Sequence, residues 1–339
     1  MTDPHAGPGA AAPNSSPAAS ARRMALYSLI LLLAILAAAY YHLRDDSIFG
    51  CRATGYSGQY YLSYCQTDGY GDFDHGAFWF DLEPQATQSA AKADVLFVGN
   101  SRMQYAFSTD AARAWLDQNG SPYFLLGFAY HPRVLFQRAL IRKIHPRARV
   151  YVINLDTFFQ ENASVPAQTV MSDPNAQSHY RGKQFWQWLH RAVCGTVEAV
   201  CGNSYVIFKD RRTGMWQSFG RISANEATSD DPNIDADEVA GETRSGRKFI
   251  AALGVAPDCV IFTLVPTVDT PYAASSAIAK ALNVQLIAPR SDDLLTFDGS
   301  HLDHRSAERW SAAFFEAAGP KIRACLNSSN PTRTAAAAH

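Results

Sequence analysis

No basic stripe, and no basic tract interleaved with aromatics, runs anywhere in this 339-residue chain, and its 30 Lys and Arg are matched by 31 Asp and Glu. That balance lacks the electrostatic footprint of a nucleic-acid binder, so nucleic acid is not expected as a partner. There is no Cys-x-x-Cys pair and no His/Cys cluster at ligand spacing, which argues against a structural zinc. No cysteine precedes residue 51, and no charge interrupts the run from Met24 to Tyr41. These last two absences share one explanation, an N-terminal membrane segment followed by an exported domain.

Residues 1–23, rich in Pro, Ala, Ser and Gly, read as a disordered cytoplasmic tail. The apolar run, taken as 24–43, is long enough to cross a hydrocarbon core. Arg22-Arg23 should stay cytoplasmic, which sends everything after Arg44 across the membrane. The rival reading is a cleaved signal peptide, for which Ala37-Ala38-Ala39 offers small residues. As an anchor, the run predicts a single-pass protein of the inner (cytoplasmic) membrane with its main domain in the periplasm or outside the cell. All six cysteines (Cys51, Cys65, Cys194, Cys201, Cys259 and Cys325) lie beyond the anchor, and an even number in an exported domain favours disulfides. Six cysteines leave the connectivity open; proximity suggests Cys51–Cys65 and Cys194–Cys201, leaving Cys259–Cys325.

The rest of the chain divides into a Tyr- and Gly-rich lead-in at 44–93, an ordered domain at 94–326 and a disordered tail at 327–339. Short apolar runs at 95–98, 123–126, 150–155, 259–264 and 284–287 predict strands. Helical patterns fall between and after them at 108–118, 132–143, 236–253, 271–282 and 304–318. This alternation predicts an α/β fold with a parallel sheet covered on both faces. Residues 157–235 break the rhythm and read as an insertion that covers or borders a site. The 19 Phe, 15 Tyr and 6 Trp fit either a full core or a sugar-stacking surface. Phe185-Trp186-Gln187-Trp188 reads as core, the lead-in as packing across the domain surface, and His131 and His304 as surface or loop histidines.

Two strings carry the chemistry. Val95-Leu96-Phe97-Val98-Gly99-Asn100-Ser101-Arg102 runs a buried strand into a turn carrying a serine, and Phe297-Asp298-Gly299-Ser300-His301-Leu302 sets an acid three residues before a histidine. Ligands of open α/β sheets gather at the carboxyl ends of strands, where Ser101, Gly127 and Asn154–Asp156 all fall. A serine hydroxyl needs a neighbouring base, and the base needs an orienting acid. His301 and Asp298 supply those types, and a bare backbone N–H at Gly127 could reach an oxyanion.

Gly99-Asn100-Ser101 resembles the Gly-Asp-Ser block of the SGNH (GDSL-like) esterase and acyltransferase superfamily, and Asp298-Gly299-Ser300-His301-Leu302 resembles its closing Asp-x-x-His-Leu block. The resemblance implies a three-layer α/β/α sandwich with a small parallel sheet, SGNH or flavodoxin-like, with Ser101 as nucleophile, His301 as base and Asp298 as its acid. It further implies an oxyanion hole from Ser101 and Gly127. The third block departs from the pattern: Ile153-Asn154-Leu155-Asp156-Thr157-Phe158 replaces the expected Gly-x-Asn-Asp, and Asn154 could substitute only with a shifted register. Asn100, Arg102 and Asp156 are candidate substrate contacts. The implied function is an extracytoplasmic serine esterase or O-acyltransferase that moves an acyl group, acetyl being the leading choice, on an envelope or secreted glycan. It needs no cofactor, its partners being the membrane, a glycan or acylated small molecule, and a membrane acyl-donor protein. The absence of a broad hydrophobic lid favours glycan over bulk lipid. The alternative is a catalytically degenerate SGNH-fold binding or scaffold protein of polysaccharide assembly.

Overall fold

The computed structural model describes residues 17–220 and 225–328. In chain order its elements are α1 (Pro17–Asp46), β1 (Tyr60–Cys65), β2 (Gly71–Asp72), α2 (Asp74–Trp79), α3 (Pro84–Lys92), β3 (Val95–Asn100), α4 (Ser101–Phe107), α5 (Asp110–Gln118), β4 (Tyr123–Phe128), α6 (Val134–Ile144) and β5 (Val150–Asn154). Then come α7 (Val165–Ser172), α8 (Ala176–Cys194), β6 (Val206–Asp210), β7 (Trp216–Phe219) and β8 (Glu226–Ala227). The chain closes with α9 (Ala236–Ala251), β9 (Val260–Thr263), α10 (Tyr272–Leu282), β10 (Gln285–Leu286), β11 (Leu295–Thr296) and α11 (His304–Asn327).

The five expected strands pair in parallel in the order β4-β3-β5-β9-β10. With the first of these strands lying between the second and third, connections leave β3 and β5 in opposite directions and open a crevice at their carboxyl ends. Successive side chains of a strand point to opposite faces, and β3 divides accordingly. Leu96 and Val98 pack with Phe124, Leu126, Ile153 and Phe262 against Phe136 of α6 and Phe249 of α9. Val95 and Phe97 pack with Leu125, Val152 and Ile261 against Phe107 of α4 and Trp310, Phe314 and Phe315 of α11. The sheet is therefore covered on both faces, as its nearly all-apolar strands require.

The helix ends show where local signals were overridden. Thr109 caps α5 by accepting the Ala112 N–H at 3.1 Å. The last helix runs to Asn327 rather than stopping at 318, although Gly319-Pro320 reads as a stop. Its apolar face continues through Ile322 and Cys325, and a side chain at Gly319 would meet the Trp115 ring at 2.9 Å. Asn327 is thus helical, and 329–339 of the expected tail lies outside the described residues.

The lead-in and the insertion, separate in sequence, form one antiparallel sheet of order β2-β1-β6-β7, with Tyr61 opposite Lys209 and Cys65 opposite Val206. The lead-in is thus structural rather than superficial, and the insertion is built on it. Farther on, β8 pairs with β11 (Leu295 opposite Ala227), bracing the loop that leads into Asp298. Three disulfides join Cys51–Cys65, Cys194–Cys201 and Cys259–Cys325. A disulfide typically contributes about 2–4 kcal/mol. At the N-terminus, α1 contains an apolar stretch, Ala21–Tyr41, of mean hydropathy 2.1, with none of it buried against the domain. By length and composition it suits either a membrane anchor or a signal sequence. The helix already begins at Pro17, so the tail read as disordered to residue 23 is helical over its last residues; residues 1–16 lie outside the described residues.

Candidate active site

Ser101 does not sit on a plain turn. Asn100 leaves β3 in extended conformation, and its Oδ1 accepts the N–H groups of Arg102 at 3.1 Å and Met103 at 3.4 Å. That cap starts α4 at the serine itself, so the Ser101 N–H is among those that no helical carbonyl can reach. Two glycines let this helix lie close to the sheet. A side chain at Gly99 would meet Met103 Cβ at 3.1 Å, and one at Gly127 would meet Met103 Cε at 2.6 Å and Gln104 Cγ at 2.7 Å.

Two hundred residues later, Asp298–His301 folds into a tight loop through Gly299 at a left-handed φ of 74°. Asp298 Oδ1 accepts the backbone N–H groups of Ser300 (3.0 Å) and His301 (2.8 Å). This leaves Oδ2 for the His301 ring, whose Nδ1 lies 2.8 Å away. The far ring nitrogen, Nε2, is 2.8 Å from Ser101 Oγ. Phe297 stacks on the His301 ring at 5.4 Å and Tyr105 meets it edge-on at 4.8 Å, so the imidazole is held from both sides. Partial burial by itself would raise the Asp298 carboxyl. Hydrogen bonds from the His301 ring and from the His301 and Ser300 backbone outweigh that and hold it below the ordinary carboxylate range. An anionic Asp298 fixes the imidazole proton on Nδ1 and leaves Nε2 to accept the serine proton.

The three residues read as substrate contacts are engaged with one another. Buried Asp156 accepts Asn100 Nδ2–H at 2.6 Å and Arg102 Nη1–H at 2.6 Å, while Arg102 Nε–H donates to Ser300 Oγ at 2.9 Å. They form a bridge from the end of β5 through α4 to the 298–301 loop, holding Ser101 and His301 in register. The two residues read as oxyanion donors beside Ser101 are placed within the sheet. Gly127 lies within β4 opposite Gly99, and its carbonyl accepts from Gln104 Nε2 (2.9 Å) and Lys209 Nζ (2.9 Å). Asn154 is buried; its Oδ1 accepts the Val265 N–H at 3.1 Å and its Nδ2 faces Asn100 Oδ1 at 3.3 Å. Neither lines the cavity around Ser101.

That cavity, about 660 Å³, contains Ser101, Asp298, Ser300 and His301 at one end. Six aromatic side chains, Tyr64, Tyr105, Tyr130, Tyr205, Trp216 and Phe297, form much of the rest. Tyr64 comes from β1 and Trp216 from β7, so the lead-in–insertion sheet supplies a wall, and the Tyr105 and Tyr205 hydroxyls are hydrogen-bonded across the cleft. The insertion supplies Tyr205, Ile207, Trp216 and Gly220 to the cavity. His131, read as a surface or loop histidine, sits in the loop after β4 and also lines the cavity. It follows Tyr130 in a pair of left-handed residues (φ 50° and 58°), a conformation uncommon for non-glycine side chains and often found at functional sites. Asn100 Nδ2 lies 3.3 Å from His131 Nδ1. Because Asn100 Oδ1 is spent on the helix cap, its amide end must donate, so His131 accepts at Nδ1 and carries its proton on Nε2. Burial lowers the His131 pKa, opposed by Asp156 and aided by the charges of Arg102 and Arg133, which favours the neutral ring. Among the described residues, the one gathering of metal-ligand types is His190, Cys194 and Cys201. Its sulfurs are bonded to each other, and the His190 nitrogens face Tyr56 Oη at 3.0 Å and the Cys51 carbonyl at 3.1 Å.

One ionisable group away from the cleft gives a pH test. Buried Glu242 on α9 has its carboxyl raised to about 7, first by burial and then by neighbouring Glu238. Its folded pKa exceeds the ordinary 4.5, so folding favours the protonated form. Its contribution is fully present below about pH 4.5 and is lost as pH rises through about 7. Glu242→Gln should therefore stabilise the protein near pH 8 by about 1–3 kcal/mol and have little effect near pH 4. Thermal melts at the two pH values check this; an equal gain at both would disprove it. Comparison of the chain with known family models, curated proteins and solved structures finds no match in any of the three.

Proposed function

We propose that this chain is a membrane-anchored, extracytoplasmic serine esterase or O-acyltransferase of SGNH type, acting on an acyl group, acetyl by preference, of an envelope or secreted glycan. The observation that carries the reading is the continuous hydrogen-bonded line Asp298–His301–Ser101, with both links at 2.8 Å, opening into an aromatic cleft. Ser101 Oγ attacks the acyl carbonyl while His301 Nε2 takes its proton, and the O–C bond to serine forms. The tetrahedral adduct expels the alcohol, which leaves with that proton, and an acyl-serine remains. Water or a sugar hydroxyl, deprotonated in turn by His301, then attacks the acyl-serine and frees Ser101. Tyrosine and tryptophan faces suit the apolar faces of sugar rings while their polar tips accept or donate. The volume lies within the range of small-ligand sites.

The oxyanion is assigned to the Ser101 N–H and to neutral His131, whose Nε2–H is the donor left after Asn100 takes Nδ1. His131→Ala should lower kcat about 10²-fold with KM little changed, and His131→Gln should recover part of the loss. A variant as active as the parent would remove His131 from the mechanism. The cleft also lies close to the anchor along the chain: its wall residues Tyr64 and Gln66 flank Cys65, which is bonded to Cys51. That arrangement suits an acyl donor held in the membrane.

The reading is tested by treating the detergent-solubilised full chain with a fluorophosphonate and an aryl acetate, then mapping adducts by mass spectrometry. A stoichiometric adduct on the peptide containing Ser101 is expected. A folded chain that stays unlabelled, yet binds glycan, would favour the scaffold alternative.

A further inference from the structure

The aromatic run on α8 is not core. Gln187 is the buried member, whereas Phe185, Trp186 and Trp188 are 56%, 46% and 64% exposed. The helix faces the domain with Tyr180, Gln187, His190 and Cys194, which leaves its rings outside. Three large exposed rings in four residues are unusual on a soluble surface and mark an interaction face.

The place where the chain joins the domain says what that face meets. Phe49, three residues past the end of α1, packs edge-on against Trp186 at 6.4 Å and against His190 at 5.8 Å. Gly202 N–H donates to the Phe49 carbonyl at 2.7 Å, Ser204 N–H to the Gly50 carbonyl at 3.0 Å, and His190 faces the Cys51 carbonyl at 3.1 Å. The segment leaving α1 is therefore fastened to α8 and to the stretch just after it. The apolar stretch ends at Tyr41. Five further helical residues, the extended Ser47 and the first two residues of a 3-10 turn put Phe49 within about 15 Å of the hydrocarbon edge. Charge points the same way: residues 174–197 contain no Asp or Glu, and α8 exposes Arg181 and Arg191, which suits anionic headgroups, while Lys183 Nζ turns inward to the Tyr70 and Asp72 carbonyls.

We infer that Phe185, Trp186 and Trp188 seat in the headgroup layer of the bilayer that α1 spans, an inference that rests on reading α1 as an uncleaved anchor. Trp and Tyr favour that layer because one edge of the ring is apolar and the other hydrogen-bonds. Seated there, α8 and α1 hold the domain at two points, so the cleft keeps one orientation to the surface instead of swinging on its linker.

The test uses the full chain in phosphatidylcholine vesicles containing phosphatidylglycerol and a lipid brominated near its headgroup. The chain has six tryptophans and none in α1, so quenching reports on the domain alone. Brominated lipid should remove roughly a third of the emission, the share of two rings in six. The double variant Trp186→Phe/Trp188→Phe should lose that quenchable fraction. A chain that floats with the vesicles but shows no quenching, or the same quenching in the variant, overturns the inference while leaving the anchor intact. A chain that fails to float overturns the anchor and the inference with it. In native membranes, benzoylphenylalanine in place of Trp186 should crosslink to lipid. A discrete protein adduct would assign the face to a protein partner instead.

Discussion

Ser101→Ala should lower acyl turnover by at least about 10⁴-fold while leaving the unfolding midpoint nearly unchanged. The separation of the two effects is what makes the result informative. Ser101 Oγ faces His301 across the cleft, and alanine removes one half-exposed hydroxyl that supports no packing. A surface change of that kind stays within about 0.5 kcal/mol. In the proposed turnover, by contrast, the lost oxygen is the atom that would form the covalent bond, and it is the one bonded to His301 Nε2 at 2.8 Å. His301→Ala should cost about as much, and the double variant little more, because residues acting as one unit are non-additive. Activity within tenfold of the parent, measured with an aryl acetate, would reject the assignment of Ser101. So would an acyl adduct mapped to another residue.

The second large effect lies beneath the site. Lys209 of β6 is fully buried, with Nζ donating to Asp74 Oδ2 at 2.8 Å and to the Gly127 carbonyl at 2.9 Å, between the rings of Phe128 (4.8 Å) and Phe78 (4.9 Å). Asp74 also accepts the Tyr61 hydroxyl at 2.5 Å. Burial pulls the Lys209 pKa down and pushes that of Asp74 up, each partly countered by the other's charge. Lys209→Met would leave Asp74 buried without its cation, which typically costs about 3–5 kcal/mol. In a domain of this size, that is a fall of about 10 °C in midpoint. Lys209→Met with Asp74→Leu should recover most of the loss, because an apolar pair needs no compensation. Thermal melts of the two single variants and the double variant decide it. A single variant within about 1 kcal/mol of the parent would mean that the ion pair does not clamp the two sheets.

How much of this was legible depended on how locally each feature was encoded. The Ser101, Asp298 and His301 trio could be read because each piece is a short string at a strand end, and the three-residue spacing alone lets Asp298 reach the His301 ring. The parallel sheet was legible because its strands are runs of Val, Ile, Leu and Phe separated by helical periods. The cleft wall was not: Tyr64 and Trp216 meet only through the pairing of Tyr61 with Lys209, and no local pattern announces a partner so distant in sequence. His131 was read as a surface or loop histidine, and its place at the cavity was not legible because a left-handed loop carries no periodic signal. The three exposed rings of α8 were misread because burial there inverts the usual pattern, with Gln187 and His190 inside. Spacing alone could have exposed that error: Tyr180, Gln187, His190 and Cys194 share one helical face, and Trp186 and Trp188 fall off it.

The pairing of lead-in and insertion has a consequence for the order in which the molecule assembles. A chain emerging N-terminus first offers β1 long before β6 exists, with only β2 and the Cys51–Cys65 bond, spanning 14 residues, to hold it. The strands β3, β4 and β5 arrive in succession and can pair at once, since their loop-closure cost is small. Pulse-labelled hydrogen exchange should accordingly protect the amides of Val95–Val98 before those of Tyr61–Tyr64; simultaneous protection would contradict this order. Until β6 arrives, one edge of β1 stands open, the form in which unfinished chains pair with each other. The strands around Ser101 can pair early, the sheet that walls its cleft closes only when β6 and β7 arrive, and the Asp298–His301 loop follows later still.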